Sequence, residues 1–226
     1  MIEIDTDLRP MLGPVRDQGA RPTCLAFAAS DAHAALRDGW SPLSCEYAYF
    51  HAQRRCRRTH DQGATLSGML ETLKLDGQPE EAGWPYLNAV PSDLALWVPP
   101  LSIGPCFGRV GGMGAVDLAP IITSIAARNP VILLAYLSQA FFRPAADGIV
   151  EPGVGEIPDL SLRHAVVAVG HGRVDGQQAI LVRNSWGAGW GLEGHAWLTK
   201  GFLEPRLFAT AILRENVDVS TRSTAA

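Results

Sequence analysis

Cysteine and lysine are both scarce in this chain, and long apolar runs are missing. Four cysteines, Cys24, Cys45, Cys56 and Cys106, are spread over 226 residues. That is too sparse for a disulfide-stapled scaffold, and no two have the close spacing of a structural zinc site. Reduced thiols are expected, with no metal and no cofactor. No stretch of about 18 apolar residues occurs, so no membrane-spanning helix is expected. The N-terminal MIEIDTDLRP carries acids where a secretory leader would carry basic and then strongly apolar residues, which points to a protein kept in a cytoplasm. Positive charge is also not in excess. The net charge is −4 and the pI near 5.8, which gives no electrostatic case for nucleic acid or an anionic membrane as partner. The one dense basic run, Arg54, Arg55, Arg57 and Arg58, reads as a solvated helix face or loop.

What is present is apolar bulk, 47% of the residues, enough for one large domain or two lobes sharing a cleft. The two halves read differently. Leu25, Ala28, Ala29, Ala32 and Leu36 recur at helical spacing and stop at Gly39, and Leu66, Met69, Leu70 and Leu73 repeat the pattern and stop at Gly77. A helix between about 45 and 56 fits less clearly. Residues 77–116 are rich in proline and glycine and read as an irregular crossing between lobes. Asp117 caps a short helix carrying Leu118, Ile121, Ile122 and Ile125, stopped by Asn129-Pro130. Strand-like runs follow at 131–136, 164–170, 178–185, 195–200 and 207–213. Helices first and strands later make an α+β protein. The expected organisation is a single domain over 1–226, with a mainly helical lobe at about 10–110, a mainly β lobe at about 111–213 and a polar tail at 214–226.

Cys24 stands out by position. Pro22 and Thr23 precede the first periodic apolar residue, which puts Cys24 in the first helical turn with Thr23 as N-cap. Free N–H groups and the positive dipole end gather there and favour an anion, so a depressed thiol pKa and a nucleophilic thiolate are expected. Alone, such a cysteine is more often a small buried core residue; its companions decide the matter. Gln18, six residues earlier, can aim a side-chain amide beside the Cys24 N–H and complete a two-donor oxyanion hole.

Six histidines compete for the base. His33, inside the first helix, and His51 and His60, among charged residues, read as surface. His164 opens the apolar run HAVVAVG, where a polar ring needs a specific partner. His171, in the turn after that run, reads as solvated, and His195 is a weaker rival. Twenty residues past His164 comes RNSWGAGWG. There Asn184 can accept from the imidazole, fixing the tautomer that leaves the other nitrogen for the thiol. Trp186 and Trp190 would shield that bond from water.

Taken together, VRDQGARPTCLAFAA, RHAVVAVGHG and RNSWGAGWGLEGHAWL resemble the papain family of cysteine peptidases. The spacing from Cys to His and Asn agrees with that of papain-like enzymes, and the likeness spans roughly residues 10 to 213. It implies a helical lobe and a β-barrel-like lobe with the active-site cleft between them, and a catalytic set of Cys24, His164, Asn184 and Gln18. It also implies substrate contacts at Gly63, which would pair with extended peptide backbone, and at Ala64, Leu66, Met69, Ala165 and Trp186. The partner would be a protein or peptide substrate, with a regulatory partner possible because the family's inhibitory pro-region is not seen. The family's disulfide cysteine between the Gln and the nucleophile is replaced here by Ala20, Arg21 and Pro22, in keeping with a reducing compartment. Leu25 stands where an aromatic residue is usual. The arginine-rich, lysine-poor composition resembles bacterial members. The reaction expected is peptide-bond hydrolysis through an acyl-enzyme; an amidase or acyl transferase would share its first half, and an inactive binding module would keep the fold alone.

Overall fold

The computed structural model describes residues 1–219. In chain order the elements are β1 (Ile2–Asp7), α1 (Cys24–Ala35), α2 (Cys45–Cys56), α3 (Leu66–Leu75), β2 (Gly108–Gly114), α4 (Leu118–Ala126) and β3 (Val131–Leu137). There follow α5 (Gln139–Phe142), β4 (Ile149–Val150), β5 (Asp159–Val174), β6 (Gln177–Arg183), β7 (His195–Thr199), α6 (Lys200–Leu203) and β8 (Leu207–Val217). No helix among the described residues is long and apolar enough to cross a membrane.

The class is α+β, as expected, but the sheet is open. Its order is β2-β8-β3-β5-β6-β7-β4, with β1 added to the far end of β5. β2 and β4 stand at opposite edges and do not pair, so the barrel-like lobe expected from the family resemblance is instead a continuous sheet. Neighbours are antiparallel except β4 with β7. Three strands lie outside the expected set. They are β1, the two-residue β4, and β2, which lies inside the stretch read as an irregular crossing. Its sequence GRVGGMG escapes a propensity reading. The glycines have a packing reason: a Cβ on Gly111 would come within 2.7 Å of Leu70 and 2.8 Å of Leu213. β8 also runs on to Val217, so Arg214 to Val217 are strand rather than tail; residues 220–226 of that tail lie outside the described residues.

α1 sets the geometry. Every residue from Leu25 to Ala35 is buried, because its alanines let it lie close between β5 and α2. A helix enclosed on all sides must satisfy its polar residues internally. Asp31 therefore accepts from Arg16 and from Arg183, each at 2.7 Å, and Ser30 and His33 both bond Gln78. His33, expected on the surface, is fully buried, with Nδ1 3.0 Å from Gln78 Oε1.

That burial has a consequence in acid. Desolvation first, then the charges of Arg109 and Arg37, pull His33 from 6.5 to about 4, against the opposing bond to Gln78. The stabilising effect of keeping it neutral is full above the unfolded value of 6.5. It is lost as the pH falls towards 4, because only the unfolded chain takes up the proton in that window. Urea midpoints should fall between pH 7 and pH 4.5 by an amount worth up to about 3 kcal/mol for this residue. In His33→Gln that fall should be visibly shallower; equal slopes in the two proteins would disprove the assignment.

Candidate active site

Cys24 is the first residue of α1 and lies half-buried at its N-terminus. Thr23 takes the cap position but not the cap bond: its hydroxyl pairs with Tyr86 Oη at 2.8 Å. Across the cleft, β5 changes character along its length. Residues 159–163 are exposed and 164–172 are buried, and His164 falls at that boundary, where strand passes from solvent into core. Cys24 and His164 line one cleft of about 670 Å³ between the helices and the sheet.

His164 Nε2 lies 2.7 Å from Asn184 Oδ1, so Nδ1 is the ring nitrogen left for another partner. Asn184 follows directly on β6, and its Oδ1 also accepts from the Ser185 N–H at 2.8 Å, which fixes the amide. Its Nδ2 is buried without a partner. Trp186 lies against the imidazole with ring centroids 4.6 Å apart, and Phe142 stacks on its indole at 5.5 Å and 15°. Phe141 closes a further side of the imidazole. Trp190 supports this cluster from beneath, through Phe141, and its Nε1 donates to the Phe141 carbonyl.

Gln18 is buried beside Cys24. Its Oε1 accepts from Ser185 Oγ at 2.7 Å, and one Nε2 hydrogen goes to the Arg21 carbonyl at 2.8 Å. Gln18 lines the cleft, and its second Nε2 hydrogen has no partner among the described residues. Ser185 therefore orients two site amides, Asn184 through its N–H and Gln18 through its hydroxyl. Sequence reading passed over it, although it sits between Asn184 and Trp186 in the run that carried the resemblance. Tyr86 and Glu46 were missed as well. Tyr86 Oη donates to the Gln18 carbonyl at 2.7 Å, and Glu46 binds the Arg21 guanidinium at 2.6 and 2.9 Å.

Burial works against charge on both central groups. It pushes the Cys24 thiol up, with the backbone N–H groups of Ala165, Leu25 and Cys24 pulling the other way. It draws His164 down to about 4, opposed by the bond to Asn184. The depressed thiol pKa expected from the helix terminus is thus not what the enclosed thiol shows by itself: desolvation outweighs the helix end. Each group alone is neutral at pH 7. Moving one proton from sulfur to imidazole would ionise them together and let mutual attraction offset the loss of water.

Of the expected substrate contacts, Gly63, Ala64, Leu66, Ala165 and Trp186 line the cleft. Met69 does not. It is fully buried on the inner face of α3, where helical spacing from Leu66 carries it away from the cleft and into the core. Leu134, Leu137, Phe208 and Ala209 form the apolar wall on the sheet side instead. The rival histidines are engaged elsewhere. His171 is buried in β5, not solvated in a turn, with Nδ1 3.5 Å from Asp5. His195 Nδ1 is 2.9 Å from the Glu193 carbonyl. Among the described residues no group of side chains could hold a metal ion.

The model of the papain family of cysteine proteases matches residues 111–207, the stretch that holds His164 and Asn184. Over that stretch the chain is similar to the papain family. A cysteine protease of Blomia tropicalis is 27% identical over 203 residues, covering 83% of this chain and 57% of its own length. Cysteine proteinase 1 of Entamoeba histolytica is 25% identical over 201 residues, covering 85% and 61%. The chain therefore spans about three fifths of the curated relatives it matches. Among solved structures, xylellain, a cysteine protease from Xylella fastidiosa, superposes with a TM-score of 0.72 over 95% of this chain and 87% of its own, at 19% identity. That likeness speaks for the papain-like fold.

Proposed function

We propose that the chain is a cysteine endopeptidase, a single papain-like domain that hydrolyses peptide bonds through a thioester on Cys24. The observation that carries this reading is the shared cleft. Cys24 and His164 come from different layers of the fold yet line one cavity, and Asn184 occupies the imidazole nitrogen that would otherwise compete. As the proton passes from Cys24 Sγ to His164 Nδ1, the thiolate attacks the peptide carbonyl. The free Gln18 Nε2 hydrogen and the Cys24 backbone N–H receive the oxyanion. His164 then gives its proton to the leaving amine, and takes one from the water that releases the acid and restores the thiol. Asn184 favours the imidazolium by accepting from it, and the aromatic cover of Trp186 and Phe142 keeps water from that bond.

All four cysteines are free, which supports a reducing compartment such as a bacterial cytoplasm. The function is tested by alkylation with iodoacetamide at pH 5.5. An ordinary thiol with pKa about 8.5 is only about 0.1% thiolate there, whereas a cysteine that can pass its proton to a neighbouring imidazole reacts readily. Peptide mapping should show the label on Cys24 ahead of Cys45, Cys56 and Cys106, and hydrolysis of a peptide mixture should fall in step with it. Full labelling with hydrolysis intact would refute the proposal.

A further inference from the structure

The lining of the cleft carries charge of one sign only. Arg21, Arg58 and Arg163 contribute to it, and no Asp or Glu does. Arg21 is neutralised by Glu46, but among the described residues the other two arginines have no acidic partner. Arg58 is exposed; it follows the left-handed residue Arg57 that ends α2, and that turn brings its guanidinium back to the Gly63 carbonyl at 2.5 Å. Arg163 is exposed on the opposite, sheet side, immediately before His164, and lies over the Tyr136 ring at 5.8 Å. Both keep donors that these contacts do not use. They stand out because the protein as a whole is acidic, at −4, so an approaching anion is repelled by the molecule at large and attracted here.

We propose that this cleft selects peptides in which an acidic side chain flanks an apolar one, the acid held by Arg163 or Arg58 and the apolar side chain packed on Leu134, Phe208 and Ala209. A guanidinium suits the role, since its planar fork meets a carboxylate through two N–H donors. The apolar wall beside it lowers the local dielectric and strengthens the pair. Arg58 reaches the acid from the helical side, near the Gly63 backbone, and Arg163 from the sheet side, next to the imidazole. The inference rests on the peptidase reading only for the identity of this cleft as the one that receives the peptide.

Binding tests it apart from catalysis. The full chain carrying Cys24→Ala would be titrated with short peptides of one apolar sequence, each bearing Glu, Gln or Lys at a single scanned position. For at least one position the Glu peptide should bind about tenfold or more tightly than its Gln counterpart, the scale of a hydrogen-bonded charge pair. The preference should shrink in high salt. Adding Arg163→Glu or Arg58→Glu should reverse the preference towards Lys at the position each one reads, an outcome that loss of folding cannot imitate. Equal binding of Glu and Gln peptides at every position, or a Glu preference that survives both charge reversals, would overturn the assignment. A bound acidic peptide that the wild-type protein fails to cut would leave the binding assignment standing and sink the hydrolytic one.

Discussion

Peptide hydrolysis by the Cys24→Ala variant is expected to fall about 10⁴-fold or more, with no loss of thermal stability. The two halves of that expectation have separate grounds. Chemically, the sulfur is the group proposed to form the acyl bond while His164 Nδ1 takes up its proton. Without it, the oxyanion donors of Gln18 and Cys24 N–H can still polarise a carbonyl, so catalysis above the aqueous rate persists at a low level. Structurally, the thiol is a desolvated group whose burial disfavours its charged form, and alanine at the start of α1 removes no bond that holds the helix. His164→Ala should lose a comparable amount. The double variant should be no worse than either single one, since thiolate and imidazolium exist only as a pair. Asn184→Ala is a different case. It leaves both reacting groups but removes the acceptor that raises the imidazole pKa, so the ion pair forms less readily and its loss should be smaller. Multiplicative losses in the Cys24/His164 double variant would show that the two do not act as one unit.

The residues read in the sequence share one property: each sits where a local pattern and a chemical demand coincide. Cys24 follows Pro22-Thr23 at the start of an apolar helix, and His164 heads an apolar strand that could not tolerate an idle imidazole. What sequence could not show is burial set by distant segments. His33, inside the first helix, reads as surface like His51 and His60, yet the alanines of α1 draw β5 and α2 together over it. The same blindness explains the thiol: a helix N-terminus is visible in the sequence, whereas the walls that desolvate it are not. Met69 shows a related limit. Helical periodicity gave an apolar stripe on α3, but the stripe has two edges, and only Leu66 looks into the cleft. β2 was lost because its glycines serve Leu70 and Leu213, neighbours far away in the chain. Arg58 reads only as part of a solvated basic run, since the lack of a carboxylate lining the cleft is a property of the cleft and not of any segment.

The largest expected effect on stability lies one layer behind the cleft, at Glu46. Its carboxylate is fully buried and accepts from four donors: both terminal nitrogens of Arg21, the Leu87 N–H at 3.0 Å and Trp97 Nε1 at 2.7 Å. Glu46→Gln keeps the volume but removes the charge, and it turns an NH₂ group towards donors that need an acceptor. Arg21 is then a buried cation without a counter-ion, and breaking such a pair from one side costs about 3–5 kcal/mol. For a chain of this size that is a fall in melting temperature of roughly 6–20 °C, readable by calorimetry or urea denaturation. Arg21→Leu with Glu46→Leu should recover only part of the loss, because Trp97 and Leu87 still lack their acceptor. A double variant as stable as wild type would mean that the network contributes specificity rather than stability. The consequence reaches the cleft through the backbone. The Arg21 carbonyl holds Gln18 Nε2, and the Arg21 guanidinium binds the Leu87 carbonyl next to Tyr86, whose hydroxyl holds the Gln18 carbonyl. Loosening Arg21 therefore releases the amide that receives the oxyanion. In Glu46→Gln kcat should fall while peptide binding to the cleft changes little, and an unchanged kcat at full destabilisation would show that Gln18 is held by Ser185 alone.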